Sequence, residues 1–208
     1  MIVRLRAAIA PLLGVLLFVP AALLVAYVTL DPKPADLARN AAASAWIVAA
    51  LASYWALDEV LRRETQTGAH LWYLLAGKAD RLYWEWIAVG VLLAAAISAC
   101  AWAVASLLFT VEPPIVTVAV AITLYATATA AVTTISRLLA RAAGAGALLG
   151  PLLGFPLQVP VLLAVAQLSV STNSAGGVTD ERWMFLAGFF GILYLLIGLW
   201  TAPFLMRE

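Results

Sequence analysis

Long apolar runs separated by short polar breaks organise this chain. Charges and prolines bound the runs and predict spans at residues 7–30, 41–57, 86–110, 115–136, 145–170 and 183–206. At about 1.5 Å rise per residue, each can cross a hydrocarbon layer of about 30 Å, the second only just. Lipid offers no hydrogen-bond partner to backbone N–H and C=O groups, so each span has to be a helix that satisfies its own. The alternation of a membrane β-barrel is absent from the sequence. The expected fold is all-α: a single polytopic membrane domain over residues 1–208 with six transmembrane helices.

Composition agrees. Hydrophobic residues make up 65% of the 208 and charged residues 11%, against about 25% charged in an ordinary soluble domain. Mean hydropathy is +1.01. These values exclude a disordered chain, a disulfide scaffold and a basic nucleic-acid binder, and leave too few charges for the polar shell of a soluble enzyme. Cys100, the single cysteine, lies in an apolar run and cannot form an internal disulfide.

The net charge of +1 says little, but the distribution of charge does. With the N-terminus inside, the cytoplasmic side holds Arg4, Arg6, Arg62, Arg63, Lys78, Arg81, Arg137, Arg141 and Arg207, and the outside holds Lys33, Arg39 and Arg182. That excess of 9 over 3 predicts both termini in the cytoplasm. Trp84 and Trp86 before the third span, and Trp183 and Trp200 in the sixth, fit an interfacial aromatic belt. The first apolar run exceeds the 7–15 residues of a signal-peptide core, so it is expected to stay as a helix.

The longest polar interruption is residues 58–85. Asp58, Glu59, Arg62, Arg63 and Glu64 continue the second helix, Thr67-Gly68 breaks it, and Leu71, Trp72, Leu74 and Leu75 suggest a short amphipathic helix at the membrane surface. An ordinary charged loop and a docking surface for a cytoplasmic partner both fit this pattern. In the fifth span, Pro156 and Pro160 each remove an N–H donor about one turn apart, with Gln158 between them. The Gln158 amide is a candidate donor to a freed carbonyl. The segment reads either as a fixed kink or as a hinge.

Catalytic chemistry is missing. The chain has one histidine, one cysteine and no phosphate-binding loop of the G-x-x-x-x-G-K-[ST] kind. No residue is assigned to catalysis, metal binding or direct cofactor binding. Gly144, Gly146, Gly150 and Gly154 lie in or beside an apolar span and suit close helix packing. Thr127, Thr129, Thr133 and Thr134 suit packing or bonding back to their own helix rather than a polar pore.

Three stretches carry a family resemblance. Residues 30–64 hold an Asp-Pro-x-Pro link, a tryptophan-containing helix and a charged exit. The Gly68 segment runs on through LLAGKADRLYWEW, and residues 136–167 contain LL-x-PLL-x-x-PL-x-x-PVLL. Together they resemble the haem exporter protein B (CcmB) family, the type-2 exporter-like permease subunit of the cytochrome c maturation ABC transporter. The elbow departs from the type-2 pattern: Gly68-Ala69-His70-Leu71 has no glutamate.

The resemblance implies a permease subunit, multi-pass in the bacterial inner membrane and paired as a homodimer. Its partners would be a cytoplasmic ABC ATPase, haem-handling membrane subunits and a periplasmic haem chaperone, with haem as cargo of the complex. The ATPase-coupling residues it suggests are Asp58, Glu59, Arg62, Arg63, Glu64, Gly68, His70, Leu71 and Leu74. His70 has an imidazole suited to haem iron, but the topology puts it in the cytoplasmic elbow, where a docking role fits better. Two alternatives stay open: a type-2 exporter for a lipid or drug-like cargo, and a stand-alone carrier or channel. The last would call for intramembrane charges or inverted repeats.

Overall fold

The computed structural model describes residues 2–30, 33, 36–68, 71, 73, 75–112, 115–144, 149–171 and 181–206, without the side chains of 2–11, 67 and 171. It contains six long helices: α1 (Ile2–Leu30), α2 (Leu37–Thr67), α3 (Ala79–Phe109), α4 (Ile115–Ala142), α5 (Leu149–Ser171) and α6 (Glu181–Leu205). All six are long and apolar enough to cross a membrane, and no strand occurs among the described residues.

Helices α2 and α3 have 31 residues each, about 46 Å at the usual rise and well beyond the hydrocarbon thickness. Their surplus lies at one end, in residues 58–67 and 79–85. Gly68 closes α2 in the left-handed region (φ 69°), its N–H reaching the Thr65 carbonyl. The elbow expected over 58–85 is therefore the tail of α2, a link around 68–78 and the first two turns of α3. The expected short link after the fourth span is also mostly helix, because α4 runs through Arg137 and Arg141 to Ala142.

Packing centres on α2, α3 and α4, with α3 touching α1, α2, α4 and α6. Helix α4 touches α2, α3, α5 and α6, while α2 touches α1, α3, α4 and α5. Lipid removes the hydrophobic force between helices, so association depends on close fit. A buried stripe of Ala41, Ala45, Ala49, Ala52 and Ala56 gives α2 a narrow face. Large aromatics then fill notches left by glycine. The Tyr54 ring lies where a Cβ on Gly154 would stand, and Tyr83 does the same at Gly198. Trp46 packs edge-on to Trp102 (centroids 6.0 Å apart), tilts against Tyr125 (5.2 Å), and donates its indole N–H to Ser169 at 3.0 Å. The expected aromatic belt is partly corrected. Trp84 and Trp200 are exposed, but Trp86 is buried within the bundle.

Gly154→Ala should therefore lower the thermal midpoint in detergent by an amount equivalent to about 1–3 kcal/mol, through overpacking against Tyr54. Gly188→Ala, whose new Cβ would meet Leu124 at 3.9 Å, should be close to silent. Size-exclusion recovery after heating compares the two.

Candidate functional site

The end of the bundle carrying the surplus of α2 and α3 gathers most of the charge. On α2, Glu59 accepts from Arg62 at 2.8 Å and from Arg63 at 2.6 Å. This is the i, i+3 and i, i+4 geometry that ties charges along one helix face. Arg62 also donates to Gln66 at 3.0 Å. Asp58 points the other way and pairs across to Arg137 of α4 at 3.3 Å, with only 18% and 16% of the two side chains exposed. In so dry a setting, each charge depends on the other for compensation.

The sequence-derived coupling residues thus divide. Arg63 is exposed and Arg62 half-buried, both on the projecting turns of α2, and Leu71 is exposed in the link. Asp58 is committed to the α2–α4 seam, and Glu64 is buried beside Leu57, Leu61, Trp86 and Gly90. Those two face inward, unlike Arg63. His70 and Leu74 lie outside the described residues. On the α3 side, Arg81 pairs with Glu85 at 3.2 Å, and Tyr73 donates to the same carboxylate at 3.1 Å. The link is thereby tied back to α3, while Leu75 and Trp84 face outward.

Helix α5 carries Pro156 and Pro160 within a continuous helix. Gln158 is 1% exposed, and neither of its amide atoms has a hydrogen-bond partner. The expected bond from Gln158 to a freed carbonyl is not made; one residue beyond the carbonyl freed by Pro160, Tyr194 of α6 donates to the Leu157 carbonyl at 2.7 Å. A neighbouring helix thus supports the backbone beside the Pro160 interruption. Below, Tyr54 and Ser136 hydrogen-bond at 3.0 Å, and Tyr54 stacks on Phe155. Thr127 and Thr134 bond back to carbonyls of α4, as expected. Thr129 is buried beside Tyr125, and the buried Thr133 hydroxyl has no hydrogen-bond partner.

Arg137, Tyr194 and Tyr54 were not legible as site residues. Their partners lie 37 to 82 positions away or on unrelated turns. The available signal was the i, i+4 spacing of Arg137 and Arg141 at a span end. Among the described residues, no group of three or more His, Cys, Asp or Glu is placed to hold a metal ion.

Replacing Tyr194 by Phe should lower stability by about 0.5–1.5 kcal/mol, the range for one interhelical hydrogen bond in a membrane. Gln158→Leu should be neutral or stabilising, since it removes two unpartnered polar atoms. Thermal midpoints of the purified variants test both signs.

The sequence matches the CcmB family (CcmB protein) over residues 1–206. No curated protein and no solved structure matches it. A match of that extent, over six helices long and apolar enough to cross a membrane, identifies the chain as a member of the CcmB family, the membrane permeases of haem transport in cytochrome c biogenesis.

Proposed function

We propose that this chain is the permease subunit of an ABC complex in the bacterial inner membrane, acting as a pair of copies with all termini in the cytoplasm. A separate cytoplasmic ATPase supplies the energy, because these 208 residues contain no phosphate-binding loop. Haem-handling membrane subunits and a periplasmic haem chaperone complete the complex. ATP hydrolysis then moves haem or releases the haem-loaded chaperone. The observation that carries this reading is the family match over residues 1–206. The α2–α3 hairpin supplies the lever, since both of its arms are helices continuous with membrane spans.

The ATPase contact is assigned to the outer face of that hairpin, with Arg62 and Arg63 as the charged part and Leu71 as the apolar part. Gly68 sets the bend, and His70 and Leu74 join the surface by sequence position. Asp58, Glu59 and Glu64 support it from behind, through Arg137, through the two arginines and from the buried side. Complementary charge of this kind gives specificity and orientation more than raw affinity.

Orientation is tested by single-cysteine labelling in a Cys100→Ala background. Cysteine at position 175 should react with an impermeant reagent from outside, and cysteine at 67 only after permeabilisation. The reverse pattern would invert every partner assignment. Docking is tested by Arg62→Glu combined with Arg63→Glu. ATPase co-purification per folded permease should fall by about tenfold or more, with membrane insertion unchanged. Wild-type co-purification with normal cytochrome c levels would remove the hairpin as the docking surface. Gln158→Leu, assayed for assembly and cytochrome c together, separates a working hinge from a fixed kink: a hinge loses cytochrome c while complex yield is kept.

A further inference from the structure

Between the tails of α2 and α4 lies a cleft of about 520 Å³, a size typical of small-ligand sites. Its walls carry Arg62 and Gln66 from α2, Arg137 and Arg141 from α4, and Trp86 from α3. Among the described residues, no carboxylate lines it. Asp58 and Glu59 stand nearby, each already held by arginine.

Two observations point to an anionic occupant. Arg137 is largely buried, yet its guanidinium has five N–H donors and its one ion-pair partner is Asp58. Trp86 is 4% exposed, and its indole N–H has no hydrogen-bond partner. A buried N–H left unpaired costs about 1–3 kcal/mol, and this one is closed off by neighbouring atoms, so an acceptor reaches it only where the cleft wall opens. Planar guanidinium groups suit the oxygens of phosphate, which they can bind in a two-pronged manner.

The level of the cleft narrows the source. The apolar runs of α2 and α4 end near residues 57 and 136. Arg137 and Arg141 therefore lie within about 8 Å of the hydrocarbon edge, and Arg62 at a similar height. That is the headgroup layer, about 5–8 Å thick on each side of the core. Basic pockets between transmembrane helices at this depth suit anionic lipid headgroups.

We propose that this cleft binds a phosphate group, and that an anionic phospholipid supplies it. The site is distinct from the outward ATPase surface, although Arg62 borders both. It requires this end of the bundle to lie at a bilayer surface and does not depend on the cargo.

Native mass spectrometry of the full-length protein, with whatever subunits co-purify, tests the idea. Phosphatidylglycerol should be retained about tenfold better than phosphatidylcholine. Arg141→Gln and the pair Asp58→Asn with Arg137→Gln should each reduce retention by about tenfold, the pair removing both charges so that no buried charge is stranded. Lys78→Gln, at the same end but outside the cleft, should have no effect. Equal retention of the two lipids, or retention insensitive to the cleft variants, overturns the proposal. Displacement of the lipid by millimolar inorganic phosphate would assign the site to a soluble phosphate compound and overturn the lipid as its source. Unchanged lipid retention with loss of ATPase co-purification in the cleft variants would make the cleft a protein-docking surface instead, and would also overturn it.

Discussion

Hydrocarbon offers no partner to a peptide N–H or carbonyl and no hydrophobic force between one helix and the next. Every other feature of this bundle answers that constraint. Six long helices satisfy most of the backbone, with prolines such as those of α5 as the exception, and fit has to do the rest. The fit comes from aromatic rings seated on glycine and alanine: Tyr54 on Gly154, Tyr83 on Gly198, and Trp46 among Trp102 and Tyr125. Each ring also carries a polar atom, and most of these find partners across helices. Trp46 reaches Ser169, Tyr54 reaches Ser136, and Tyr83 reaches the Leu195 carbonyl. The same side chains therefore supply dispersion and directional bonds, which specifies helix order more tightly than apolar contact alone.

The seam between α2 and α4 extends this logic beyond the lipid. It closes at the charged end with Asp58 and Arg137. A force applied to the tail of α2 meets this ion pair before it reaches the span, so the tail and α4 are mechanically joined. On the other arm, Glu85 holds both Arg81 and Tyr73, which joins the link to α3. The hairpin is thus braced on both sides rather than hanging from the membrane as a loop. Such bracing is consistent with the ATPase docking proposed for this hairpin, which would need a stiff connection to the spans.

Sequence reasoning located the spans because a run of apolar residues and its length are local properties. It also located the stop at Gly68, since a left-handed residue after a charged helical tail has a recognisable form. The start of α3 at Ala79, before the expected 86, was harder. Residues 79–85 carry Asp80, Arg81 and Glu85, which interrupt the hydropathy signal, yet Leu82 and Tyr83 among them are buried in the bundle and anchor this turn of α3. Within the site, the charges 58–64 were visible as a cluster, but their directions were not. Asp58 and Glu59 are neighbours in sequence and serve different partners, because successive residues on a helix point about 100° apart. Trp86 looked interfacial beside Trp84, and the same rotation turns it inward.

Helix α5 shows what the seam leaves undone. Near one end Ser169 is bonded to Trp46, and near the other Phe155 and Gly154 are seated on Tyr54. Gln158 lies between them, buried and without a partner, in the stretch where Pro156 and Pro160 have already removed two backbone donors. Tyr194 supports this stretch from α6, the far side from α2. Moving the middle of α5 away from α2 and α4 would therefore break no hydrogen bond made by the Gln158 side chain, whereas moving the Ser169 end would break the bond to Trp46. Proline also lowers the number of backbone bonds that resist bending. The local chemistry lowers the resistance of the middle of α5 to bending, which both a fixed kink and a hinge require.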